Sequence, residues 1–135
     1  MIALFDASAI IPLLVDEEQT IPARAAWQAS SQRMTIDLAG AEVANALWRK
    51  VKNNALSAET ARAALSAFFA HSTRRLTTDA DYAAALALAM RLDHPVYDCL
   101  YAIAAQREGA RLVTADRRFA DRLAGEPVEV LLLDA

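Results

Sequence analysis

Four acidic side chains stand where apolar segments of this 135-residue chain stop: Asp6, Glu42, Asp98 and Asp116. Asp6 ends the run Ile2-Ala3-Leu4-Phe5, and Asp116 closes Leu112-Val113-Thr114-Ala115. Asp98 follows Val96-Tyr97, and Glu42 falls early in a helical segment. A carboxylate costs free energy to hold near apolar surface unless something compensates it, and several in one place raise each other's pKa. If the four converge, the simplest compensating partner is a divalent cation, and oxygen-only donors suit Mg²⁺ or Mn²⁺. Such a cation lowers the pKa of water and screens phosphate charge, so the chemistry in view is in-line cleavage of a P–O bond without a covalent enzyme intermediate. Ser8 and Thr114 carry hydroxyls near the same residues and are expected to orient a carboxylate or a water.

Taken singly, each acid has a plainer explanation. Aspartate is a favoured helix N-cap, and loops at strand ends are generally polar. Asp98 and Asp116 both read as helix starts, and Glu42 alone reads as solvent-exposed. Asp6 resists this explanation, because it follows a strand expected to be buried on both faces. The joint pattern carries the functional reading.

The elements that must position these residues follow from periodicity and punctuation. Residues 2–5 form a continuous apolar run, the mark of a doubly buried strand. A short helix is predicted over Ala7–Leu14 and a second through Trp27, then a short strand over Met34–Ile36. Val43, Leu47 and Val51 stripe a helix over Ala39–Asn53. Ser57 caps the next helix, whose apolar residues are Leu65, Phe68 and Phe69. A short strand over Arg75–Thr77 follows, then a helix capped by Thr78 or Asp79 that runs to Leu92. His94-Pro95 ends it, because the residue before proline avoids the helical region. Asp98 opens a helix to Glu108, and Gly109 suits a left-handed C-terminal cap. Leu112–Thr114 is the clearest interior strand, with a short helix over Arg117–Leu123 and a last strand over Val128–Leu133. Strands alternating with helices imply an α/β fold, a parallel sheet covered on both faces. Ligands in such sheets bind outside the carboxyl ends of the strands, where Asp6 and Asp116 fall.

Composition bounds the rest. The length fits one domain spanning 1–135, and 56% hydrophobic residues supply its core. A net charge of -3 argues against binding nucleic acid by bulk charge alone, while leaving room for a local basic patch. Cys99 is the one cysteine, so no internal disulfide forms, which fits a cytoplasmic protein; it reads as a small buried hydrophobe. The stretch before Asp6 lacks the basic start of a secretory signal, and no apolar run reaches the ~20 residues of a membrane span. With only Gly40, Gly109 and Gly125, no phosphate-cradling glycine loop is present.

Several segments together resemble the PIN-domain family. They are Asp6-Ala7-Ser8 after the first strand, Ala41-Glu42-Val43-Ala44-Asn45-Ala46-Leu47, Tyr97-Asp98-Cys99-Leu100-Tyr101, and Thr114-Ala115-Asp116-Arg117-Arg118-Phe119. The resemblance covers essentially the whole chain, and size and motif order look most like the ribonuclease toxins of VapBC-type toxin–antitoxin pairs. It implies a three-layer α/β/α sandwich, Mg²⁺- or Mn²⁺-dependent endoribonuclease activity in the cytoplasm, a homodimer, and a small antitoxin as partner. It makes Asp6, Glu42, Asp98 and Asp116 the acidic metal-site residues, supported by Ser8 and Thr114.

Arg117 and Arg118 are candidates for RNA phosphate contacts, set against the simpler role of a solvated helix start. Leu47, Trp48, Leu65, Phe68 and Phe69 would form a groove for an amphipathic partner helix wherever they are exposed. His71 and His94 read as isolated and stand outside the acidic set. Two other functions compete. A phosphoryl-transfer domain of the haloacid-dehalogenase or receiver type also places aspartates at strand ends. The former wants a second aspartate where Ser8 stands, and both want a lysine near the phosphoryl group, whereas Lys50 and Lys52 lie together on one helix. A non-catalytic binding module would keep the acids only as helix caps.

Overall fold

The computed structural model describes residues 1–134 and has the element order expected from the sequence. That order is β1 (Ile2–Phe5), α1 (Ala7–Leu14), α2 (Thr20–Ala29), β2 (Gln32–Ile36), α3 (Leu38–Lys52), α4 (Ala58–His71), β3 (Arg74–Arg75), α5 (Asp79–Leu92), α6 (Val96–Glu108), β4 (Arg111–Thr114), α7 (Arg117–Arg122) and β5 (Val130–Leu132). All strands pair in parallel, in the order β3-β2-β1-β4-β5, with helices completing the α/β/α sandwich.

The apolar run of β1 takes the centre. Ala3 pairs with Arg33 of β2 on one side and Arg111 of β4 on the other. From β1 the chain moves outward through β2 and β3, then returns to the other side for β4 and β5. The reversal puts the topological switch point at the carboxyl ends of β1 and β4, the edge at which open α/β sheets bind ligands.

Helix α6 is buried on nearly every side: Cys99, Leu100, Tyr101, Ala102, Ala104 and Ala105 are all core. It lies against β1, β2 and β4, and α5 covers it. A helix in that position must be apolar all round, and its alanines permit the close approach. Caps fix several ends. The Ser57 side chain accepts from Thr60 N–H, Thr78 and Asp81 form a reciprocal capping box, and Gly109 takes the left-handed conformation at φ 62° that ends α6.

Two boundaries differ from expectation for identifiable reasons. The edge strand β3 is Arg74–Arg75, not Arg75–Thr77, because Thr77 gives its N–H and hydroxyl to the Asp37 carboxylate instead of to a ladder. Helix α6 begins at Val96, not Asp98. Pro95, with φ -54°, stands just ahead of it, and its fixed backbone suits a helix start. Asp98 therefore lies in the first turn and is not the cap.

Candidate active site

Asp6 leaves β1 at the centre of the sheet. Its N–H extends the ladder to Val113 O (3.1 Å), and its side chain turns to cap α1. Oδ1 accepts from Ala9 N–H (3.0 Å) and from the Ser8 hydroxyl (2.6 Å). The residue is buried, and no cationic side chain pairs with it among the described residues. Burial pushes its carboxyl up to about 7, and the charge of Asp98 pushes the same way, while the Ser8 and Ala9 hydrogen bonds oppose the rise.

Ser8 also joins the loops on the two sides of the switch point. Its Oγ lies 3.2 Å from Thr114 Oγ1 and accepts from Ala115 N–H (2.9 Å). Thr114 Oγ1 in turn accepts from Asp116 N–H (3.1 Å), and Asp116 caps α7 by accepting from Phe119 N–H (3.1 Å). The loops after β1 and β4 are thus tied together by two hydroxyls, both of them expected supports of the site.

Glu42 reaches the edge from α3 and is held by Tyr101, whose hydroxyl donates to Oε1 at 2.6 Å. Partial burial raises the Glu42 carboxyl, the Asp98 charge raises it further, and the Tyr101 bond opposes both. The Tyr101 phenol is held well above its ordinary range, chiefly by burial and then by Glu42, with Asp6 and Asp98 adding to it. One negative charge, that of Asp98, therefore acts on both Asp6 and Glu42.

Asp98 itself lies 2.8 Å, through Oδ2, from His94 Nε2. Single donor atoms of His94, Asp98 and Asp116 all lie within 4.8 Å of one another. The carboxylate oxygens of Asp98 and Asp116 suit a hard divalent cation, and the buried acid Asp6 nearby pairs with no cationic side chain among the described residues.

Residues 3–124 match the model of the PIN domain family. The chain belongs to the PIN domain family. Among its relatives is the ribonuclease VapC3 of Pyrobaculum aerophilum, 35% identical over an alignment of 124 residues that covers 87% of this chain and 91% of that protein. Its fold matches that of VapBC2 from Rickettsia felis, solved with a DNA fragment from the promoter, with a TM-score of 0.73, 15% identity and coverage of 99% of this chain and 100% of the other. It also matches a toxin-antitoxin complex from Klebsiella pneumoniae, with a TM-score of 0.68, 21% identity and 98% coverage of both chains.

Within this PIN domain, the acids expected from the sequence fall in one region, though not as one uniform cluster. Asp98 and Asp116 share the tight group with His94. Asp6 joins through the Ser8–Thr114 bridge and the field of Asp98, and Glu42 through that field and Tyr101. The reading of His94 as isolated is overturned: it sits four residues before Asp98, and the turn into α6 brings its ring onto that carboxylate. The i,i+4 spacing was the available signal. Tyr101, three residues after Asp98 and so near the same face of α6, was the other residue missed. Among the candidate RNA contacts, Arg118 is exposed, and exposed Arg117 pairs with Asp134 at 2.6 Å. Cys99 is buried with its thiol pushed up to about 11, chiefly by burial, which fits the inert hydrophobe expected.

Proposed function

We propose that this PIN domain is a metal-dependent endoribonuclease, the toxin half of a toxin–antitoxin pair, acting in the cytoplasm as a single domain over 1–135. The observation that carries the reading is Asp6, a carboxylate buried at the topological switch point, paired with no cationic side chain among the described residues and standing in the field of Asp98. The names of its relatives support it: one is a ribonuclease, and solved structures of the same fold are toxin–antitoxin assemblies.

Asp6, Glu42, Asp98 and Asp116 are the proposed holders of Mg²⁺ or Mn²⁺. A divalent cation bound there supplies positive charge that lowers the pKa of water and offsets the charge of the scissile phosphodiester. The chain's own contribution is to collect carboxylate oxygens on a rigid edge. Ser8 and Thr114 fix the loops that carry Asp6 and Asp116, and Tyr101 restricts Glu42 to one direction. Arg118 and Arg117 stand at the start of α7 and are proposed to receive RNA phosphates. The Arg117–Asp134 pair is exposed on both sides, so little free energy opposes its exchange for a phosphate.

The haloacid-dehalogenase or receiver alternative gains no support. Ser8 is spent on Asp6 and Thr114, Lys50 pairs with Glu17 at 3.3 Å, and Lys52 lies over the Trp48 ring. For the antitoxin, an apolar cavity of about 280 Å³ opens between α1, α2, β2 and α4, lined by Leu13, Leu14, Trp27, Met34 and Phe68. It is the proposed seat of an apolar partner segment. This modifies the groove expected from the sequence, since Leu47 is core, and Trp48 and Phe69 are exposed and outside the cavity lining. A homodimer is proposed as well.

The test is cleavage of end-labelled single-stranded RNA by the purified protein with Mn²⁺, with Mg²⁺ and with EDTA. Cleavage that needs metal and disappears in Asp6→Asn is expected. Equal cleavage in EDTA, or by the Asn variant, overturns the proposal. A short adjacent reading frame whose product binds both DNA and this chain would support the toxin role.

A further inference from the structure

His94 has no part in the acidic set read from the sequence, yet its placement is unusually determined. Asp93 takes the left-handed conformation (φ 51°, ψ 55°), which reverses the chain after α5, and Pro95 holds His94 itself away from the helical region. The imidazole, only 5% exposed, lies flat against Phe119, with ring centroids 4.8 Å apart and planes 16° from parallel. Phe119 is fully buried, and its N–H is the group that Asp116 caps. Asp116, Phe119, His94 and Asp98 thus form a continuous path: a cap bond, a ring stack and a 2.8 Å hydrogen bond.

Building on the metal-site reading above, we propose that His94 is a positioning residue for the cation: its Nε2–H holds Oδ2 of Asp98 and so fixes the direction in which that carboxylate would be offered to the ion. A carboxylate only accepts hydrogen bonds, so the imidazole donates in this contact. The proton on Nε2 leaves that nitrogen no lone pair for metal. Partners of this kind orient metal-binding carboxylates, and their loss typically costs roughly 10–100-fold in metal affinity.

The test is Mn²⁺ binding to the full chain, followed by the electron paramagnetic resonance signal of free and bound ion, with melting of the metal-free protein measured in parallel. His94→Phe retains a ring for the Phe119 stack and removes the donor. His94→Gln places an amide donor near the position of Nε2 and removes the stack. The expected result is a folded His94→Phe protein whose Mn²⁺ affinity falls roughly 10–100-fold, a His94→Gln protein that binds nearly as well as the parent, and no nitrogen hyperfine coupling on Mn²⁺ bound to the parent. Equal affinity of parent and His94→Phe overturns the inference and leaves the metal site standing. A directly coupled nitrogen overturns it too, by making His94 a ligand. A parent that binds no Mn²⁺ overturns both the inference and the metal-site reading.

Discussion

Asp6 and Asp81 are equally hidden, each 6% exposed, and the molecule treats their charge in opposite ways. Asp81, in the first turn of α5, receives the Arg107 guanidinium and the Thr78 N–H, so its countercharge is built into the fold. Asp6 receives a hydroxyl and an amide and no cation, and its carboxyl is pushed up to about 7 as a result of burial and of Asp98. A buried acid that carries its own cation is part of the framework. One that lacks it, at the carboxyl edge of a parallel sheet, is under the proposed function a place for a cation from outside.

The largest effect expected from this contrast is on catalysis. Asp6→Asn should reduce RNA cleavage by more than the ~100-fold typical of losing a supporting partner, whereas Asp81→Asn should leave the rate per folded molecule unchanged. Single-turnover cleavage with Mn²⁺ measures both. A comparable loss in the two variants would erase the distinction.

Stability should move the other way. Asp81→Asn removes the charge that Arg107 and Thr78 bind, and urea unfolding should show a loss of about 2 kcal/mol. Metal-free Asp6→Asn should instead be more stable than the parent above pH 7, because the substitution removes a buried charge that nothing neutralises. If both variants lose stability there, Asp6 is as well compensated as Asp81.

The pH dependence sharpens the same point. The Asp6 carboxyl titrates at about 7 in the folded chain against 3.8 ordinarily, so between these values the folded state keeps a proton that the unfolded state has released. Stability of the metal-free protein therefore contains a contribution that is complete at about pH 4 and is lost as the pH rises through 7. Cation binding, which needs the ionised form, should strengthen over the same rise. Denaturant midpoints across this range measure the slope, and Asp6→Asn should flatten it. An unchanged slope in that variant assigns the dependence to other groups.

The smallest expected effect is at Glu42. Tyr101→Phe removes one hydrogen bond to a carboxylate, worth about 1.5–3 kcal/mol in general. Because Glu42 is half-exposed and water can take over part of that role, we expect only about a tenfold loss of cleavage rate. A loss as large as that of Asp6→Asn would place Tyr101 among the principal residues of the site.

The fold was legible because its signals are local. The short apolar run Ile2–Phe5 reads as a doubly buried strand, and Asp6 and Asp116 at strand ends follow from the parallel topology that alternating elements impose. The Thr78 cap and the Gly109 stop also depend on neighbours within a few residues. What escaped depends on tertiary contacts. Thr77 leaves the strand for Asp37, forty residues away in sequence. Tyr101 finds Glu42 across the interior, and His94 gains its position from a ring on α7. Distances along the chain could not reveal those encounters, although the spacing of His94 and Asp98 offered one hint.

Anomalous diffraction from crystals soaked in Mn²⁺ tests the central claim most directly. The account predicts an anomalous peak at the edge beyond β1 and β4, within coordination distance of carboxylate oxygens from both Asp6 and Asp98, and its absence in Asp6→Asn. A peak elsewhere on the surface, or none at this edge under conditions where the protein cleaves RNA, would contradict it.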